Sequence, residues 1–258
     1  MRDANVTEIS VPYPDTGERR LVISVGACRL KIRPSGDAAL VTGTYRDPSR
    51  ALPCRVVSEG GTVRITQDRN VAEFFGLLGG VPAFDLVLGG AGPYELTLES
   101  GAAEVDADFG GLPISRLMVK HGAGKTTINF SAPNPQIMSL LELSSGATAM
   151  DVRSLANANF TEMRVEGGAA SYEFDFAGTL QRDAHVRIST GMAAVTIIVP
   201  SSTSAKISSE SQLGSTDIGD GFTKKEGAFW TRAAMEGSGP VLTIRAGVAL
   251  GSLRLRTA

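Results

Sequence analysis

Seven residues, HGAGKTT at 121–127, come closest in this sequence to a chemical motif. They end like a phosphate-binding loop, in which backbone amides cradle phosphate and a lysine meets its charge. That loop is G-x-x-x-x-G-K-[ST], so its first glycine would stand at 119, where the chain has Val119. It must also open a helix whose N-terminus faces the phosphate. Here it runs into Thr127, Ile128, Asn129 and Phe130, which read as a strand. Nucleotide binding is excluded on both counts.

Other chemistry fares no better. The two histidines, His121 and His185, have no cysteine or second histidine at ligand spacing, and a zinc site needs three or four ligands. Glu104, Asp106 and Asp108 project three carboxylates from one strand face, and Asp217 and Asp220 form a smaller group near a turn. Such oxygens could hold calcium, but the glycine-rich nonapeptides of calcium β-rolls are missing, and a solvated strand face explains the charges equally well. No G-x-S-x-G marks a serine nucleophile. A polysaccharide lyase or hydrolase would need a base or paired carboxylates across a groove. The outward charges Arg116, Lys120, Lys125, Arg153 and Arg164 are scattered along the chain. The expectation is therefore no catalytic residue, no cofactor-binding residue and no metal ligand, and no cofactor.

The elements carrying these residues repeat. YELTLESGAAEVDADF is followed by RLMVKHGAGKTTINF, LLELSSGATAMDV, EMRVEGGAASYEFDF and HVRISTGMAAVTIIV. Each has an alternating strand, a small-residue corner and a second alternating strand. The corner glycines are Gly101, Gly122, Gly146, Gly168 and Gly191, spaced 21 to 24 residues apart. Glycine is expected there for a sharp turn, often at positive φ. Leu96 and Leu98, then Val105, Ala107 and Phe109, alternate with charged residues, the mark of strands with one buried face. AKISSESQLGSTDIG carries Gln212 and Leu213 in place of the glycine corner, and VLTIRAGVALGSLRLRT restores it at Gly247. RLVISVGACRLKIRP has the same grammar around Gly26. The one short helical candidate is about 136–141, and residues 71–93 read as a loop.

A unit of about 22 residues cannot bury its own apolar face, but stacked copies can, with equivalent strands paired in parallel. The sequence predicts an all-β fold, a single-stranded parallel β-helix with coils of about 22 residues; a hairpin-built sandwich is the alternative. Two segments are expected: an N-terminal β segment with divergent coils and an apolar loop over 1–93, and regular coils over 94–258 with an insert at about 219–239.

Composition limits the partners. Lys+Arg number 25 against Asp+Glu 27, so no electrostatic case exists for nucleic acid or an anionic membrane surface. MRDANVTEIS is no signal peptide, and no uncharged apolar run approaches the roughly 20 residues of a membrane helix. As given, the chain reads as soluble, with membrane association only through an anchor outside it, and as cytoplasmic if Met1 is the true start. Cys28 and Cys54 are two cysteines that either bridge or stay as separate thiols.

The strand–Gly-Ala–strand phrases LESGAAEVDADFGGLPISRLMVKHGAGKTTINF, RVEGGAASYEFDF and HVRISTGMAAVTIIVP, with VISVGACRLKIRP before them, resemble the LiaF-like or toast-rack domain of the cell-wall-active antibiotic response and related surface adhesins. The likeness runs over about residues 20–256. It implies a right-handed parallel β-helix, no enzymatic chemistry, and a role at the bacterial envelope in stress sensing or adhesion. Members usually carry a transmembrane segment or lipoprotein signal before the domain.

The residues left for partner contacts are aromatic. Phe222, Phe229 and Trp230 sit on the insert, and Phe74, Phe75 and Phe84 lie in FFGLLGGVPAF. Each group either caps an end of the stack or forms a contact surface. The reading is a noncatalytic binding or scaffolding module whose partner is a protein or a second copy. The alternative is a carbohydrate-binding or carbohydrate-cleaving β-helix.

Overall fold

The structure, a computed structural model, describes residues 6–15, 17–49, 52–67, 80–237 and 239–258. The chain is all-β. Six long strands dominate: β8 (Tyr94–Asp108), β9 (Ile114–Asn129), β10 (Met138–Arg153), β11 (Phe160–Asp175), β12 (Ala184–Val199) and β13 (Ser204–Ile218), with a seventh, β16 (Val241–Thr257), at the C-terminus. Before them come β1 (Val6–Pro12), β2 (Arg20–Val25), β3 (Cys28–Ser35), β4 (Ala39–Arg46), β5 (Cys54–Glu59), β6 (Thr62–Gln67) and β7 (Ala83–Gly89). Between β13 and β16 lie β14 (Phe222–Lys225), β15 (Ala228–Thr231) and the short helix α1 (Arg232–Glu236).

Successive long strands pair in parallel, one repeat apart. Leu96 faces Leu117, Leu117 faces Leu141, and Leu141 faces Met163. Only residues 109–113 link β8 to β9. A straight strand of 15 residues is about 50 Å long, and a link of that length spans less than half as much. Each long strand must therefore double back near its middle. Burial shows where: Leu96, Leu98 and Ser100 point inward, Gly101 and Ala102 both point outward, and Ala103, Val105 and Ala107 point inward again. The alternation slips by one residue at the corner, so both arms of the strand face one core.

The corner glycines stand in register, and their role is close approach. A Cβ on Gly122 would lie 2.8 Å from the Gly101 carbonyl oxygen, and one on Gly146 would lie 2.6 Å from that of Gly122. None of the five has positive φ, contrary to the expectation for a sharp turn; Gly124, two residues beyond one corner, does. The constraint relaxes toward the C-terminus, where a Cβ on Gly191 would sit 3.6 Å from the Gly168 oxygen. One strand further on, the register places Ala249 at the corner, and Gly247 faces Ser189 instead.

Both ends of the stack depart from chain order. β16 lies between β12 and β13, so the C-terminal strand is hydrogen-bonded on both sides. At the other end β2 and β3 share one rung around Gly26 and lie between β8 and the outer pair β6 and β7. The stack ends in antiparallel strands: β5 on β6, β1 and β4 on β7, and β15 and β14 on β13. Reversing direction at the ends interrupts the parallel template that an open edge presents to another chain.

Two local readings are corrected here. Residues 83–89, expected as loop, form β7, because Phe84, Leu86 and Leu88 alternate inward. The helical candidate at 136–141 is instead the entry to β10, with the Gln136 amide donating to Asn134 Oδ1. Asn134, Asn157 and Asn159 form a buried ladder that satisfies backbone carbonyls at these links.

Candidate interaction face

The phosphate-loop look-alike lies inside strand. HGAGKTT is paired to β8 on one side and β10 on the other, with no helix after it. His121 turns inward and is 2 % exposed; its Nδ1 is 2.6 Å from Ser100 Oγ, one rung away. Among the described residues its Nε2 has no hydrogen-bond partner, nor has the buried Thr126 hydroxyl on the same strand. Burial holds the imidazole below its ordinary titration range, favouring the neutral ring. Further along the same corner, Ser145 Oγ lies 2.5 Å from the Tyr172 hydroxyl. The space is there because Gly167 has no side chain: a Cβ would lie 1.8 Å from the Tyr172 oxygen. This polar seam is almost wholly buried, and His121 lines the floor of an open hollow of about 430 Å³ together with Lys120, Ser144, Ser145 and Glu166.

The acidic strand is spoken for. Glu104 pairs with Arg29 at 3.7 Å and Asp106 with Arg33 at 2.5 Å, while Asp108 accepts from the amides of Gly110 and Ser131. Asp217 pairs with Arg256 at 2.6 Å, which holds its carboxyl below the usual range. Among the described residues no group of three His, Cys, Asp or Glu is placed to hold a metal. Cys28 and Cys54 are free thiols.

Of the aromatic residues singled out in the sequence, Phe74 and Phe75 lie outside the described residues. Phe84 is 1 % exposed and packs on Tyr45 with ring centroids 4.3 Å apart, so its ring faces the core. Phe222 and Phe229 are half-buried against the end of the core. Trp230, also half-buried, sits beside Lys206 on the neighbouring strand. The Lys206 and Lys225 ammonium groups lie 4.2 and 4.5 Å from its ring centre, within cation–π range.

The outer face beside Trp230 holds a feature that sequence reading passed over. Arg164, Arg187 and Arg245 occupy facing positions on β11, β12 and β16. Adjacent parallel strands lie about 4.8 Å apart, and like charges directly opposite are destabilising. Several other rungs alternate in sign, as where Arg20 pairs with Glu95, which faces Arg116, and Glu99 pairs with Lys120, although Asp151 faces Glu173. Arg164 donates to Glu162 at 2.8 Å and faces Glu142. Among the described residues, neither Arg187 nor Arg245 has an ion pair or hydrogen bond to its side chain.

Two shallow hollows flank that pair. One, of about 260 Å³, is lined by Glu162, His185, Arg187, Thr243 and Arg245; the other, of about 250 Å³, by Arg187, Ser189, Glu210, Arg245 and Gly247. In a larger hollow of about 520 Å³, Arg20 pairs with Glu95 and Arg19 donates to the Pro14 carbonyl. Among the described residues no helix is long and apolar enough to cross a membrane.

The family model described as the N-terminal domain of toast_rack, DUF2154, matches residues 2–137. No curated protein matches the chain. Among solved structures it is similar to that of a candidate cell adhesion protein from Clostridium sporogenes ATCC 15579, with 14 % identity and a TM-score of 0.51 over 98 % of this chain and 99 % of that one. A candidate adhesin from Bacteroides fragilis NCTC 9343 aligns over 98 % of this chain and 97 % of its own, at 9 % identity and a TM-score of 0.42. The first shares the fold. With more than half of its length matched by the family model, the chain belongs to the toast_rack N-terminal domain family, DUF2154.

Proposed function

We propose that this chain is a noncatalytic binding or scaffolding module of the bacterial cell envelope, acting in surface adhesion or envelope-stress sensing. One observation carries the noncatalytic reading. The Ser100–His121 pair, which a hydrolase would need at its surface, is almost wholly buried, and Glu104, Asp106 and Asp108 are held by arginines and backbone amides. The same reading takes the chain as a right-handed parallel β-helix, since a parallel crossover in one sheet is almost always right-handed. Its coils are of about 22 residues, with divergent rungs over 1–93 and regular ones over 94–258. The insert at about 219–239 then caps the last rung, and its aromatic residues Phe222, Phe229 and Trp230 border the contact surface. The adhesin assignment of the Clostridium sporogenes protein supports a surface role.

The test is retention of the intact chain on an isolated bacterial envelope fraction. Saturable retention with no release of reducing sugar is the expected result. Failure to bind, or turnover of the envelope polymer, overturns the reading.

A further inference from the structure

We infer that the outer face at the C-terminal end of the stack binds an acidic polysaccharide, whose carboxylates lie along a file of cations formed by Arg187, Arg245, Lys206 and Lys225. The inference deepens the binding-module reading and rests on it.

The file follows from register. Arg187 on β12 faces Arg245 on β16; Lys206 on β13 pairs with Thr243, two residues before Arg245. Trp230 on β15 pairs with Lys206, and Lys225 on β14 reaches the Trp230 ring from the following strand. The cations thus span five adjacent strands, about 19 Å at the usual strand spacing. Arg187 and Arg245 are exposed and face each other with no salt bridge among the described residues, while Glu162 and Glu210 line the hollows to either side. Facing arginines that cost stability and make no direct ion pair leave their donors open to an external carboxylate. Arginine suits carboxylate oxygens through its planar pair of donors. Trp230 holds two lysine ammonium groups over one ring, so it fixes their position instead of leaving them free in solvent.

The surroundings select the shape of the partner. Ser189, Thr243 and Ser208 border the file with hydroxyl groups, as a hydroxyl-rich chain requires, and Gly247 leaves the floor beside Arg245 open. Glu162, Glu166 and Glu210 stand on the same face to either side. A broad polyanion such as duplex DNA or a membrane plane would meet those carboxylates, and the chain carries a formal charge of -2. A narrow single chain aligned on the file avoids them, and one sugar residue advances by about one strand spacing.

The experiment is calorimetric titration of the intact chain with galacturonic acid oligomers of defined length, with neutral dextran and duplex DNA as comparisons. Binding to the uronic oligomers is expected to weaken with added salt. It should strengthen with length up to about five residues and then level off, as the five strands run out. Dextran should not bind. The double variant R187Q/R245Q should lose about tenfold or more in affinity, while R164Q, whose parent arginine is already neutralised by Glu162, should change it by less. The double variant should also melt no lower than the parent, since it removes like-charge contacts. Absence of uronic-acid binding, unchanged affinity in the double variant, or equal binding of duplex DNA through the same arginines overturns the inference. If the double variant still adheres to the envelope fraction while the uronic oligomers fail, this inference falls and the binding-module reading stands. Loss of envelope retention by the parent chain itself removes both.

Discussion

Ser100 Oγ and His121 Nδ1 meet at 2.6 Å inside the core, one rung apart and immediately before the corner glycines of their strands. The ring's other nitrogen has no hydrogen-bond partner among the described residues. Protonating His121 would bury a charge with nothing to pair it, so burial lowers its folded-state titration point below the unfolded value of about 6.5. The unfolded chain therefore binds more protons than the folded one below that value, and stability rises with pH until the unfolded histidine has lost its proton. Thermal melts should show Tm flat above about pH 6.5 and falling as pH drops below it, by up to about 1.4 kcal/mol per pH unit from this residue. His121→Gln, which cannot titrate, should flatten that part of the profile. A variant as acid-sensitive as the parent would remove His121 as the cause.

The corner glycines should respond unequally to a methyl group. At Gly146 a Cβ meets the Gly122 carbonyl oxygen at 2.6 Å, a backbone atom that cannot rotate aside. Gly146→Ala should therefore cost about 1–3 kcal/mol, the range for overpacking. At Gly191 the nearest atom is 3.6 Å away and φ is not in the left-handed region. Gly191→Ala should be neutral, or stabilising by up to about 1 kcal/mol through the unfolded chain. Denaturant melts of the two variants give the comparison, and equal losses would mean that close approach is not what the glycines provide.

The periodicity behind this contrast was legible in the sequence. Leucines at 96 and 98 and the small residues at 101–103 announce an arm, a corner and a second arm, because alternation and close approach are local properties. Register between distant segments is not local. VLTIRAGVALGSLRLRT has the same grammar as its neighbours, so nothing in it says that it slots between β12 and β13. Gly247 also misleads: aligned on glycines it would stand at the corner, two residues from its true register, and Arg245 would fall beside Ser189. The three facing arginines disappear in that alignment. Only Arg164 was visible as an outward charge, and it is the one already held by Glu162. The aromatic residues were easier to see than to place, since Phe84 and Trp230 look alike in sequence while one is core and the other carries two lysines.

The two cysteines are predicted to be inert in the folded protein. Both are free, and burial pushes the Cys28 thiol up to about 12 and the Cys54 thiol up to about 11. The thiolate is the reactive form, so at pH 8 an aromatic disulfide reagent should react slowly with the native chain and quickly after unfolding. Tm should be the same with and without reductant. A drop in Tm on reduction would show a bridge between them.

The position of β16 makes the last and most specific prediction. Chain ends usually fray, because few contacts tie them down. Here the final strand is hydrogen-bonded to β12 along one edge and to β13 along the other, from Leu242 through Leu255. The exposed boundaries of the sheet are instead β1, β5, whose Val56 and Val57 face solvent, and the β14–β15 hairpin. Amide exchange follows the cost of local opening, not the distance from a terminus. Native-state hydrogen exchange should therefore find β16 as slow as β11 and β12, with β5 and β14 exchanging first. Deleting residues 239–258 should strip an interior rung, leave the inner edges of β12 and β13 unpaired, and cause aggregation instead of mild destabilisation. Fast exchange across β16, or a soluble truncated chain that unfolds cooperatively near the parent Tm, would show that the terminal strand is a removable addition and not part of the stack.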